Sequence, residues 1–285
     1  MKTKAAGGYW SNAQLAEVVE MVRKAHGLDL YPYDGNFLAN SLDRRMTATS
    51  IPTLPAYAEL LGRDPAEAEV LFRSLNVVYS EFFRNSLAFS LLEHLILPGF
   101  LDALEKSGRS EIRIWSAGCA TGQEAWSVAI LVAELAGTDG KPIPGRIIAS
   151  DVSAFDLAKA RAGIYRPEAM GNLRLKHVYN YFTRQGDVYI IVDRLKEGVE
   201  FVVHDLLDEC TIYPPESIFG DFDLVLCSNV LMYYRPEMQR LILSKILRSL
   251  TEGGILLTDG TERQLVESIG GFHRIAAPAA VFRKN

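Results

Sequence analysis

The chain has 285 residues, 48% hydrophobic and 23% charged, proportions that exclude a disordered, collagen-like or coiled-coil protein and fit one large domain or two modest ones. With 30 Lys and Arg against 35 Asp and Glu, the net charge of −5 speaks against broad nucleic-acid binding. The longest apolar run, Trp126 to Gly137, is interrupted by Glu134 and falls short of the roughly 18 residues of a transmembrane helix. The basic start, Met1-Lys2-Thr3-Lys4, has no apolar stretch behind it, so no secretory signal is expected. Cys119, Cys210 and Cys227 are odd in number and lack metal-ligand spacing, which points to a reduced, cytoplasmic protein without a bound metal.

Residues 1–105 read as a helical domain with a linker. Ser11 and Gln14 form a capping box before Leu15, Val18, Val19 and Val22, and Gly27 ends that helix. A second helix is expected over Asn36 to Met46, with Arg44 and Arg45 near its end, and a third segment over Ala56 to Leu61. Asp64-Pro65 opens a helix to Leu75. A further helix from Leu87 to Leu97 is expected to stop at Pro98-Gly99.

Residues 106–285 alternate strand and helix, the pattern of a parallel sheet covered on both faces. Strands are expected at Ile112–Trp115, Arg146–Ser150, Val199–Val203, Phe222–Cys227 and Ile255–Thr258. Helices are expected from Glu124 to Leu135, from Ser153 through Arg161, and from Pro236 to Leu250, the last closed by Gly253-Gly254. His273–Ile275 and Ala280–Arg283 fit a closing antiparallel hairpin. An interruption at about 165–198 holds Val188–Val192, a strand outside the main sheet.

Polar groups collect where successive strands end. Gly118-Cys-Ala-Thr-Gly122 follows the first strand, and small residues there let a ligand approach the backbone. Its spacing departs from the dinucleotide fingerprint, and Glu124 would repel a pyrophosphate, so a nucleoside without phosphates such as S-adenosylmethionine fits better. The same loop also fits an ordinary tight strand–helix turn. Asp151 ends the second strand and can accept ribose hydroxyls or serve as an acid at a helix N-terminus. Asp205 can take the adenine amino group or be a solvated loop aspartate. Ser228-Asn229 follows the fourth strand. The five histidines (His26, His94, His177, His204 and His273) have no ligand partners at metal spacing.

On these residues the chain resembles the chemotaxis receptor methyltransferase (CheR) family. The matching segments are Ser80-Glu-Phe-Phe-Arg84, Ile114 to Glu124, Ala149-Ser-Asp151, Ala158 to Tyr165, Asp205-Leu-Leu207, Phe222-Asp223, Cys227 to Tyr233 and Gly260-Thr-Glu262. The resemblance implies a Rossmann-like S-adenosylmethionine-dependent methyltransferase domain, a small N-terminal helical domain and an inserted β-subdomain. It implies methylation of glutamate side chains on cytoplasmic chemoreceptor helices, with S-adenosylhomocysteine as product and the enzyme a monomer. Carried over by motif, Ser80, Arg84, Gly118, Glu124, Asp151, Asp205, Leu206, Asn229 and Val230 hold the cofactor, and Arg84 and Tyr233 serve the reaction. The helical domain is expected to recognise the substrate and close over the cofactor, with Arg44 and Arg45 as a docking surface. Departures from the family pattern are Val78 for asparagine, Asp205 for asparagine, Ser228 for arginine, and Gln123 and Ala125 beside Glu124. The alternatives are a methyltransferase with another protein or small-molecule substrate, and a noncatalytic cofactor-sensing scaffold.

Overall fold

The computed structural model describes residues 3–5, 8–77, 79–109, 111–135, 145–217 and 220–285. The chain divides into two compact units, one of residues 1–77 with 232–239, the other of residues 78–231 with 240–285.

The first unit pairs two short strands, β1 (Thr3–Ala5) and β2 (Gly8–Trp10), and packs four helices: α1 (Asn12–His26), α2 (Gly35–Thr49), α3 (Leu54–Arg63) and α4 (Pro65–Ser74). The start signals expected at Ser11 and Asp64 act, and Asp34 adds a cap that the sequence reading did not name. Ser11 Oγ accepts Gln14 N–H at 3.2 Å while Gln14 Oε1 accepts Ser11 N–H at 3.0 Å. Asp34 caps α2 and Asp64 caps α4 through their first backbone N–H groups. Val18, Val22, Leu38, Leu42, Leu61 and Leu71 form the core.

One polar cluster lies inside that core. Glu67 accepts a two-pronged pair from Arg45, at 2.9 and 2.6 Å, and the hydroxyl of fully buried Tyr57 at 2.6 Å. Burial alone would push the Glu67 carboxyl up; the bonds from Arg45 and Tyr57 outweigh it and hold the group below its ordinary value. Its stabilising contribution is therefore present above the carboxylate range and lost as the pH falls through it. Arg45, expected on a docking surface, is thus engaged inside the unit, whereas Arg44 is exposed. Glu67→Ala strands both donors and should cost about 2–4 kcal/mol; an unchanged urea midpoint would contradict this.

The second unit begins with α5 (Ser86–Leu91), a π-helical turn (Leu92–Ile96) and α6 (Leu97–Ser107), which continue one another. The expected stop at Pro98 does not occur. Proline removes an N–H and crowds the preceding turn, and the wider turn just before it, where Leu97 N–H reaches Leu92 O, makes the room. Ala88, Phe89, Leu92, Ile96 and Leu97 share a core with Ile114, Trp126 and Ile130, so this helix belongs to the sheet unit and the boundary falls near residue 78 rather than 105. Ser86–Leu104 is also long and apolar enough to cross a membrane, with mean hydropathy 1.5, which the sequence reading did not expect. Its core-facing side accounts for part of that character.

Then follow β3 (Ile112–Ala117), α7 (Gln123–Leu135), β4 (Gly145–Asp151), α8 (Ala154–Ala162), β5 (Ile164–Tyr165), α9 (Leu175–Tyr181), β6 (Phe182–Gln185), β7 (Val188–Ile191), α10 (Asp193–Lys196), β8 (Val199–Val203), β9 (Phe222–Leu226), α11 (Pro236–Ser249), β10 (Leu250–Leu257), α12 (Arg263–Ile269), β11 (Phe272–Arg274) and β12 (Val281–Lys284). Seven strands form one sheet in the order β11-β12-β10-β9-β3-β4-β8, parallel from β10 to β8, with β12 antiparallel beside β10. This is a Rossmann-like arrangement. Every residue of β9 is buried, as a strand covered on both faces requires. Strand order reverses between β3 and β9, which places the ligand crevice there. The interruption is a three-stranded antiparallel sheet, β5-β7-β6; β6 and the short β5 escaped the sequence reading. Gly253-Gly254 do not close α11. The helix passes directly into β10, whose register with β9 shifts between Leu250 and Ile255.

Candidate active site

The loop after β3 closes on β4. Gly118 and Cys119 donate their N–H groups to Ser150 O at 2.8 and 2.9 Å. Gly118 has φ +75°, and a Cβ there would lie 2.6 Å from Val230 Cγ2, so this position needs glycine both for its backbone and for its close neighbour. Asp151 holds two elements in place: Oδ2 accepts Ala120 N–H and Oδ1 accepts Ser153 N–H, each at 2.9 Å. It joins the glycine loop to the start of α8. Burial pushes its carboxyl up, with the backbone donors opposing.

A cleft opens at these strand ends, where the rule for open parallel sheets places a ligand. Of the residues expected from sequence, Ser80, Arg84, Gly118, Glu124 and Asn229 line it. Glu124 accepts Ser116 Oγ at 2.9 Å and is also bonded by the Ser228 side chain. Burial pushes the Glu124 carboxyl up to about 7; the two serines and Arg84 act downward and Glu262 upward. Ser228 thus gives Glu124 a neutral hydrogen-bond donor.

Other expected residues sit elsewhere. Asp151 holds the glycine loop through Ala120 N–H, and Val230 packs against Gly118. Asp205 is exposed and accepts Leu207 N–H at 2.8 Å. Leu206 is buried, with its carbonyl on Lys245 Nζ at 3.0 Å. Neither is among the residues lining the cleft. Tyr233 belongs to the helical unit, its ring 4.9 Å from that of Phe37 and its carbonyl accepting Asp34 N–H at 2.8 Å. Val78 lies outside the described residues.

Sequence reasoning missed Thr258 and Asp259, which follow β10 at the same sheet edge and line the cleft. The rule that ligands gather at the carboxyl ends of parallel strands covers this fifth strand as well as the other four. Tyr79, Glu81 and Asn85 also line the cleft, and the Arg84 guanidinium lies 4.8 Å above the Tyr79 ring. The lining carries Glu81, Glu124 and Asp259 against one described cation, Arg84. That balance fits a cationic nucleoside such as S-adenosylmethionine and opposes a pyrophosphate. Among the described residues no cluster of His, Cys, Asp and Glu is arranged to hold a metal ion.

Residues 79–279 match the family model described as CheR methyltransferase, SAM binding domain, and residues 13–75 match CheR methyltransferase, all-alpha domain. A chemotaxis protein methyltransferase of Escherichia coli is 30% identical over 88% of this chain and 85% of its own length. Chemotaxis protein methyltransferase 1 of Pseudomonas aeruginosa is 34% identical over 88% and 90%. An uncharacterized 104.1 kDa protein of Rhodobacter capsulatus is 29% identical over 87% of this chain, which spans only 25% of that longer protein.

Proposed function

This chain belongs to the CheR family of S-adenosylmethionine-dependent methyltransferases, and we propose that its acceptor is the side-chain carboxylate of glutamates on cytoplasmic chemoreceptor helices, with a methyl ester as product. The observation that carries the acceptor class is Arg84, the one Lys, Arg or His among the described residues lining an otherwise acidic cleft. A guanidinium there attracts and orients a carboxylate and repels a protonated amine. The names of the Escherichia coli and Pseudomonas aeruginosa relatives support the chemotaxis setting. We further propose that the enzyme works in the cytoplasm as a monomer.

The bound cofactor supplies an electrophilic methyl group on a sulfonium. That methyl group would pass to a carboxylate oxygen of the acceptor, the cofactor becoming a neutral thioether. A glutamate is ionised above about pH 4.3, so the acceptor needs no base. The protein's task is alignment and exclusion of water, worth roughly 7–11 kcal/mol in well-oriented systems. In this reading Ser80 and the Gly118–Gly122 loop seat the cofactor, Glu124 takes its cationic end, Asp151 its ribose, and Asp205 and Leu206 its adenine. Arg84 turns the acceptor carboxylate toward the methyl group, and Tyr233 serves the acceptor.

Methyl-labelled cofactor incubated with receptor cytoplasmic fragments should leave a label on glutamate that mild alkali releases as methanol. Arg84→Ala should reduce this transfer about 100-fold, the scale of a lost positioning contact. Alkali-stable label on lysine or arginine would overturn the carboxylate assignment. Label on a small molecule would overturn the receptor assignment.

A further inference from the structure

Glu262 has no place in the site as described so far, yet it lies directly beneath it. The residue follows β10, is 3% exposed, and spends both carboxylate oxygens on the neighbouring loop. Oε1 accepts Leu231 N–H at 2.8 Å, and Oε2 accepts Asn229 N–H at 3.1 Å and Asp259 N–H at 3.4 Å. The Thr258 hydroxyl bridges Oε2 to the Cys227 carbonyl. The two main bonds therefore grip the chain on either side of Val230.

That segment is held from another loop. Asn229 has φ +59°, in the left-handed region that asparagine enters more readily than most residues with a side chain. Asn229 lines the cleft, and Val230 is the residue that packs against Gly118. We propose that Glu262 is a positioning residue for cofactor binding: by clamping the N–H groups of Asn229 and Leu231 it holds this left-handed turn in the shape that presents Asn229 to the cleft and seats Val230 on the glycine loop. The proposal rests on the reading of Asn229 as a cofactor contact.

Glu262→Gln is the informative variant. Both carboxylate oxygens accept from backbone N–H, so an amide in either orientation sets its NH₂ against one of those donors. Calorimetry should show S-adenosylmethionine bound about tenfold more weakly, the scale of one lost hydrogen bond to a charged group. Amide exchange of Asn229 and Leu231 should quicken about as much, while Ile114 and Leu224 in the sheet stay protected. A purely structural role would quicken exchange throughout and leave cofactor affinity within twofold; that result overturns the proposal. Asn229→Ala separates the two readings. If it weakens binding and Glu262→Gln does not, the positioning role fails; if it leaves binding unchanged, the assignment of Asn229 as a contact fails. Should Glu262→Gln not fold, the unsubstituted protein still decides, because without cofactor its Asn229 and Leu231 amides must exchange as slowly as the adjoining strand. Rapid exchange there overturns the clamp.

Discussion

Asp151→Ala is expected to weaken S-adenosylmethionine binding by about 1.5–3 kcal/mol, roughly 10- to 150-fold, the scale of hydrogen bonds to a charged group. The structure supplies two reasons that act together. Each Asp151 oxygen already accepts one backbone N–H, from Ala120 or from Ser153, and keeps lone-pair capacity for a ribose hydroxyl. Alanine removes those acceptors and also releases the glycine loop from the start of α8. Calorimetry with the purified protein measures the effect. Unchanged affinity would remove Asp151 from the site, and NAD bound more tightly than S-adenosylhomocysteine would contradict the cofactor reading of the cleft.

The second large effect is a pH dependence centred on Glu124. Its carboxyl is pushed up to about 7, first by burial and then by the negative Glu262, with Ser228, Ser116 and Arg84 opposing. A cationic cofactor binds the ionised form, so binding must expel a proton wherever Glu124 carries one. With a ligand-free value of about 7, affinity should rise about eightfold from pH 6 to 7.5. Comparison stops at 7.5 because an α-amino group loses its own charge at about 7.7–8. Glu124→Gln should abolish the slope. A slope that persists in this variant, or is missing in the unsubstituted protein, would place the titrating group elsewhere. Stability of the ligand-free protein runs the opposite way. A carboxyl whose folded value is raised takes up its proton more readily when folded, so its contribution is present below the unfolded value near 4.5 and is lost as the pH rises through about 7.

Local signals settled much of the architecture. Capping at Ser11 and Asp64, and the alternation of strand and helix after residue 108, are written in contiguous residues and acted as local chemistry dictates. The family motifs likewise pointed to Ser80, Arg84, Gly118, Glu124 and Asn229, all of which line the cleft; Gly118, Glu124 and Asn229 sit at short offsets from strand ends, and Ser80 and Arg84 lie together ahead of α5. Pro98 misled for a physical reason. Whether a proline ends a helix depends on the turn before it, and the π-helical turn at Leu92–Ile96 is stabilised by core packing of Leu92 and Ile96, which no local window contains.

The sequence by itself determined the fold class, the cofactor and the sheet edge that carries the chemistry, since hydrophobic period, glycine loops and strand-end acids are properties of neighbours along the chain. Tertiary structure alone decided which of those acids line the cleft and which hold the loops around it. Glu124 looks into it, Asp151 ties two loops together, and Glu262 clamps Asn229 across an interval of 33 residues. It also decided that Arg45 is spent on Glu67 instead of a docking surface. Burial, long-range hydrogen bonds and positive φ arise only when distant segments meet, and those three quantities set what each charged side chain can do.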